Sequence, residues 1–356
     1  MIEKEKVLVQ KKNPKDDLKP LNNSLDFKFQ VPSKVIILDS LGGDFEPIEA
    51  INAGLRFAYE CTDWNLVIFT DTLNQNKAYS KQSYPSNIQF IVCDEFIAQS
   101  DSALSFRDKP NASLVKAINF LSEKKASALV SAANSSVYTL YAYLKLKKDN
   151  NISPVFLGLL PSSNKAIPRL FLDLGASPFL KPNKLVYHLD FCIKYCQIIH
   201  RIETPKIVIL ANGTEDNKGI EYINDLMKEI TKKYANNFSG KIEGSNMLVT
   251  DADIIICEGW TGNISLKSLE GGVLGFLTYL KANLKKESLL TKIGLKLSKN
   301  YLKKTVEHFT PSGACLLGLN QICIKAHGSS KEESIYQSLK SSVAFIKTYA
   351  EINNAK

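Results

Sequence analysis

Ile254-Ile255-Ile256-Cys257-Glu258-Gly259-Trp260-Thr261-Gly262-Asn263, followed by Ile264-Ser265-Leu266-Lys267-Ser268-Leu269-Glu270, reads as a buried strand that stops at a glycine-bracketed polar turn and hands over to a helix. A run of β-branched residues suits a strand covered on both faces, as in parallel sheets. Glycines let the turn expose its amides, and a helix start adds partial positive charge, so the geometry suits an anion such as phosphate.

Working outward, β-branched runs alternate with amphipathic helical stretches from Lys34 onward, which predicts an α/β fold with a mostly parallel sheet covered by helices. The strand candidates are Val35 to Leu38, Leu66 to Phe69, Ile88 to Val92, Ala128 to Val130, Phe171-Leu172, Ile207 to Leu210 and Ile254 to Ile256. Most end in a Gly, Asp, Asn or Ser cluster, and ligands of such sheets gather at the carboxyl ends of strands. The spacing of Ile220, Ile223, Met227, Ile230 and Tyr234 predicts a helix with one buried face. Its Glu221, Asp225 and Glu229 interleave with Lys228, Lys232 and Lys233, which reads as a solvated, salt-bridged face rather than a metal site.

Four further clusters follow apolar runs. Asp39-Ser40-Leu41-Gly42-Gly43-Asp44-Phe45-Glu46-Pro47 pairs glycines for close ligand approach with a proline that can open a helix. Ser131 to Ser136, with Asn134 at its centre, opens a helix and equally suits capping. Asn212-Gly213-Thr214-Glu215-Asp216-Asn217-Lys218-Gly219 supplies a mobile cation and hydroxyl and amide donors for phosphate oxygens. Lys325-Ala326-His327-Gly328-Ser329-Ser330 adds an imidazole and hydroxyls. None of these contains a dinucleotide fingerprint, a P-loop or a hydrolase elbow.

The chain has 356 residues, 44% of them hydrophobic, enough for one large α/β domain. Its charge of +9 favours acidic proteins, anionic surfaces or phosphorylated ligands. Aromatics do not interleave with the lysines as a nucleic-acid stacking surface requires. Seven cysteines without a CxxC predict a reducing cytoplasm rather than a disulfide framework, and the four histidines show no metal-ligand spacing. Residues 1–33 alternate charge with Pro and Asn and predict a flexible leader. No apolar segment is long enough to span a bilayer. Around residues 281–308 the sheet pattern lapses, and Leu290, Ile293, Leu297 and Tyr301 form a stripe opposite Lys285, Lys292, Lys296, Lys299 and Lys303, a basic amphipathic helix.

These motifs resemble those of the phosphate acyltransferases that form acyl phosphate from acyl carrier protein thioesters, the PlsX family. Leu38 to Asp44 resembles its LDAMGGD, Leu172 to Ala176 its LDLGA, and Gly213 to Gly219 its GTEDxKG. Gly259 to Asn263 with Leu266-Lys267 and Glu270-Gly271 resembles GFTGNVxLKTxEG, and Ile324 to Ser330 resembles IKAHGSS. The order is the family's, from about Val35 to Leu339. Departures fall at Phe45, Ala133, Ser136 and Glu258, where the family has His, two glycines and Asp.

The resemblance implies a three-layer α/β/α fold like that of phosphotransacetylases and isocitrate-type dehydrogenases, spanning residues 34–350. It implies conversion of acyl-acyl carrier protein and inorganic phosphate to acyl phosphate and free carrier protein for phospholipid synthesis, by a homodimer; nothing in the residues calls for a metal or other cofactor. It places the catalytic roles on Lys218 and Asn263. Substrate and phosphate contacts are expected from Gly42, Gly43, Asp44, Asn134, Thr214, Glu215, Gly259, Thr261, Gly262, Lys267, His327 and Ser329. The expected location is cytoplasmic, with peripheral contact on the inner face of the membrane through Leu290, Ile293, Leu297 and Tyr301. Two other readings stay open: a phosphate acyltransferase for short acyl-coenzyme A, and a catalytically degenerate carrier-protein binder.

Overall fold

The computed structural model describes residues 34–79, 85–147, 149, 151–213, 221–284 and 313–354. The strands are β1 (Val35–Asp39), β2 (Asn65–Thr70), β3 (Ile88–Val92), β4 (Ala128–Ser131), β5 (Val155–Leu160), β6 (Arg169–Leu172), β7 (Ile207–Leu210), β8 (Phe238–Ile242), β9 (Ile254–Ile256), β10 (Ala314–Leu317) and β11 (Ile322–Lys325). They form one sheet in the order β3-β2-β1-β4-β11-β10-β5-β6-β9-β7-β8. The seven strands foreseen from sequence are present. β5, β8, β10 and β11 complete the sheet.

Strand direction decides where the clusters fall. β1, β2, β3, β4 and β11 are mutually parallel, as are β6, β9, β7 and β8. Between these blocks β10 pairs antiparallel with both β11 and β5, and β5 pairs antiparallel with β6. The sheet is therefore mostly parallel within each half but reverses across the middle. The carboxyl ends of β1, β4 and β11 lie along one long edge, those of β6, β9 and β7 along the other.

Helices cover both faces. One side carries α1 (Pro47–Glu60), α6 (Leu189–Tyr195), α7 (Glu221–Tyr234) and α9 (Glu332–Asn354), whose apolar residues join Ile36, Leu38, Ile68, Leu157, Ile209, Ile254 and Ile324 in one core. On the other side stand α3 (Ser113–Ser122) and α4 (Ser135–Leu146), with Phe120 of α3 edge-on to Phe69 of β2. Strand alternation explains the split, since neighbouring Ile68 and Phe69 must point to opposite faces. On α1, Gly54 lies where an added Cβ would sit 3.0 Å from Leu38, Leu66 and Ile68, so the missing side chain lets the helix approach the sheet. Two shorter α-helices among the described residues are α2 (Thr72–Tyr79) and α5 (Pro182–Val186).

The long helix α8 (Gly259–Leu284) differs from the rest. Beyond its first turn it buries almost nothing: Leu274, Phe276 and Tyr279 are 64%, 65% and 69% exposed. Among the described residues no helix is long and apolar enough to cross a membrane. The amphipathic stripe Leu290, Ile293, Leu297 and Tyr301 lies outside the described residues, as does the leader.

Candidate active site

β7 and β9 run side by side, with Ile209 opposite Ile256, so the segments leaving their carboxyl ends start as neighbours. After β9 the chain passes Cys257 and Glu258 and enters α8 at Gly259. After β7 it follows Ala211, whose N–H donates to Ile242 O (2.9 Å), and reaches Gly213. Thr214, Glu215 and Lys218 lie outside the described residues. Beyond them, Tyr222 of α7 donates its hydroxyl to Leu180 O (2.7 Å) and lies near Glu258, Cys257 and Asp173. The strands that lead to Lys218 and to Asn263 are thus neighbours in the sheet, and their carboxyl ends share one edge.

Asp173 organises this edge. Its buried carboxylate accepts N–H groups from Phe156 (2.8 Å), Gly175 (2.9 Å), Ala176 (3.1 Å) and Ser177 (3.4 Å), folding the chain after β6 into a tight turn. Burial pushes its pKa up to about 6, with those donors pulling against the rise. The first turn of α8 rests directly on this loop. A Cβ on Gly259 would stand 2.2 Å from Ser177 O, and one on Gly262 1.9 Å from Asp173 O. Gly175, at φ +102°, leaves room for the half-buried Asn263, whose Cβ would lie 2.9 Å from a Cβ placed there.

The structure narrows the reading of Gly259 to Gly262 as an open amide cradle. These residues are already helical, and the N–H of Trp260 donates to Pro178 O (3.1 Å) and that of Gly262 to Glu258 O (3.0 Å). Thr261 donates its hydroxyl to the buried Glu258, whose carboxylate precedes the electropositive helix start and suits it. The two glycines serve close packing, while the half-buried Asn263 and, a turn further on, the exposed Lys267 present polar side chains along α8. Cys257 is fully buried and its thiol is held well above its ordinary pKa by burial, so it is unsuited to nucleophilic attack.

The other edge joins three of the remaining clusters. Asp44 N–H donates to Gly328 O (2.8 Å), and Gln99, which sequence did not single out, donates to Gly42 O (2.6 Å) and Ala132 O (2.8 Å). A Cβ on Gly43 would meet Ala132 and Gly328. His327 Nδ1 pairs with Ser329 Oγ at 2.7 Å. Asn134 is a helix cap: its oxygen accepts from Ser136 and Val137 N–H, and its amide donates to Gln99 O and Asp101 O. Those bonds use its polar capacity, which removes it from substrate contact. Gly42, Gly43, Asp44, His327 and Ser329 are four to six strands from β9 and on the opposite edge, roughly 20 Å or more from Asn263 at ~4.8 Å per strand. Within one protomer the two sets do not surround one anion.

Beneath that second cluster, Asp39 is fully buried, accepting from Ser131 Oγ (2.7 Å) and Leu41 N–H (3.3 Å). Burial raises its pKa from 3.8 to about 6, while Ser113, Ser131, Leu41 and Lys325 pull it back; burial likewise pushes Lys325 down to about 8. A carboxyl that holds its proton more tightly when folded stabilises the fold fully below about pH 4 and loses that contribution as pH rises through 6. Asp39→Asn is expected to remove a penalty on the order of 2–3 kcal/mol at neutral pH. In denaturant unfolding, the stability gap between variant and wild type should widen from pH 4 to pH 7, and a constant gap would contradict this.

A cavity of about 590 Å³ lined by Phe191, Leu316, Leu319, Ile322, Tyr349 and Ile352 holds none of the candidate residues.

The chain matches the family described as "Fatty acid synthesis protein" over residues 34–351. It is 31% identical over 312 residues to the phosphate acyltransferase of Lactobacillus helveticus, covering 86% of this chain and 93% of that protein. It is 32% identical over 315 residues to that of Malacoplasma penetrans, covering 86% and 92%. Among solved structures it is similar to a phosphotransacetylase from Streptococcus pyogenes, with TM-score 0.55, 15% identity and coverage of 88% and 94%. The EutD phosphotransacetylase from Staphylococcus aureus gives TM-score 0.53 at 15% identity, covering 89% and 95%. At such identity these structures speak for the fold alone, which is the three-layer arrangement expected. With most of its length matched by the family and by relatives of that name, the chain belongs to the phosphate acyltransferases of the fatty acid synthesis protein family and is an acyltransferase.

Proposed function

We propose that the enzyme transfers a long fatty acyl group from acyl carrier protein to inorganic phosphate, giving acyl phosphate for phospholipid synthesis. The observation that supports this reading is the parallel pairing of β7, whose following segment bears Lys218, with β9, which leads to Asn263. A phosphate oxygen attacks the thioester carbonyl carbon, forming the new C–O bond. The carbonyl oxygen becomes an oxyanion, which the Lys218 ammonium and the Asn263 amide stabilise by charge and hydrogen bonding. Collapse of the tetrahedral centre breaks the C–S bond, and the carrier thiolate leaves and takes a proton from solvent. Phosphate is a competent nucleophile near neutral pH, so positioning and charge compensation are the protein's main tasks.

Two finer features accompany this reading. The exposed apolar residues Leu274, Phe276 and Tyr279 of α8, beside open positions at Gly271, Gly272 and Gly275, suit a second copy of the chain, giving a homodimer. The sequence stripe at Leu290, Ile293, Leu297 and Tyr301 suits peripheral contact with a membrane that receives a lipid-soluble product. The test of the reaction supplies long-chain acyl carrier protein with and without phosphate, traps acyl phosphate with hydroxylamine and titrates the released thiol. Both signals are expected to depend on phosphate and to exceed those from short acyl-coenzyme A. Thiol release without phosphate, or preference for short acyl-coenzyme A, would overturn it.

A further inference from the structure

Three residues before Asn263, Trp260 is 56% exposed, and its ring stacks on that of Phe179, 76% exposed, with centroids 6.3 Å apart and planes 15° from parallel. Large rings are ordinarily withdrawn from water, and two of them stacked at the surface beside a candidate reaction centre form an apolar platform. The platform is held rigidly. Trp260 N–H is tied to Pro178 O, and the following Leu180 accepts the Tyr222 hydroxyl. Cations follow it closely along the chain: Lys181 is exposed and Lys184 half-buried on α5, two and five residues after Phe179, and Lys267 is exposed on α8, two turns after Trp260. Spacings of three and four place Trp260, Asn263 and Lys267 on one face of α8, so anchor, candidate catalytic amide and cation share a stripe. The nearby Glu258 and Asp173 are buried and offer no competing surface charge.

We infer that the Phe179–Trp260 stack, with Lys181, Lys184 and Lys267, is the surface on which the acidic carrier protein docks to bring its thioester to Asn263. The inference rests on the reaction proposed above and gives it a location. An aromatic anchor ringed by charge is the anatomy of an interface hot spot, and positive rim charges draw in an acidic partner. Docking here sets the carrier within about one helical turn of Asn263, at ~1.5 Å rise per residue.

The test titrates acyl carrier protein against the full-length enzyme, as wild type, Phe179→Ala, Lys181→Glu, and Lys181→Glu with Lys184→Glu, at low and high salt. Wild-type binding is expected to weaken with salt. The lysine pair and Phe179→Ala are each expected to raise Kd about tenfold. Their KM for acyl carrier protein should rise in step. KM for phosphate and turnover of an acyl-pantetheine lacking the carrier should stay unchanged, whereas a merely structural defect would lower both. Lys181→Glu alone changes an exposed side chain and keeps the test valid if the double variant folds poorly. Equal Kd in wild type and variants, or no binding by wild type, would overturn the inference. Carrier binding at this surface without acyl phosphate formation would instead overturn the proposed reaction and leave the docking surface standing.

Discussion

Asn263→Ala is expected to lower phosphate-dependent turnover about a hundredfold, as loss of one preorganised donor to a tetrahedral oxyanion does. Lys218→Met should have an effect of similar size. The two roles are separable in the kinetics. If the Asn263 amide bonds the oxyanion and not the ground-state carbonyl, its loss lowers kcat and leaves KM for phosphate nearly unchanged. Lys218 compensates charge on phosphate as well as on the oxyanion, so its loss should also raise KM for phosphate. Lys218→Arg keeps the charge but replaces a compact ammonium with a planar fork and should recover only part of the rate. A folded double variant with near-normal turnover would end the mechanism.

Gly262→Ala should be the most damaging single methyl in the site. Its Cβ would stand 1.9 Å from Asp173 O, 3.0 Å from that carbonyl carbon and 3.1 Å from Cys257 Sγ, and the first two are backbone atoms with no rotamer to escape into. The first turn of α8 must then lift from the Asp173 loop and carry Asn263 with it. A stability loss of about 3 kcal/mol is expected from such overpacking, with turnover falling alongside. Gly244→Ala is the internal control: its Cβ meets nothing within 4 Å and its φ is not positive, so stability should stay within about 0.5 kcal/mol of wild type. Denaturant unfolding of both variants decides, and a Gly262→Ala protein as stable as wild type would contradict the packing described.

Strand-to-helix patterning made the architecture legible in sequence, because a run such as Ile254 to Ile256 has few homes other than a doubly covered sheet. Two of the four strands not foreseen had weaker signatures. β8 is half-exposed and carries Ser239, Gly240 and Lys241, and β5 is interrupted by Gly158. The reversal at β10 and β5 was invisible for a deeper reason. Strand direction is set by the route of the chain between strands, which local composition does not encode, and that reversal is what parts the Gly42, Asp44 and His327 cluster from Asn263. The turn at Gly259 to Gly262 was legible as special but not as to why. Glycine permits ligand approach and backbone approach alike, and only the position of Asp173 O shows that backbone fills the space. Gln99 and Asp173 gave different signals: Gln99 stands in an unremarkable loop, while Asp173 stood inside a strand-end LDLGA without a partner in view.

The most direct measurement is where phosphate binds, followed by ³¹P NMR titration of inorganic phosphate against wild type and single variants at the two sheet edges. Saturable binding in wild type should be lost or greatly weakened in Lys218→Met and preserved in His327→Ala, which alters the opposite edge. Binding that survives Lys218→Met and disappears in His327→Ala would place the anion beside β11 and contradict a reaction centre at β7 and β9.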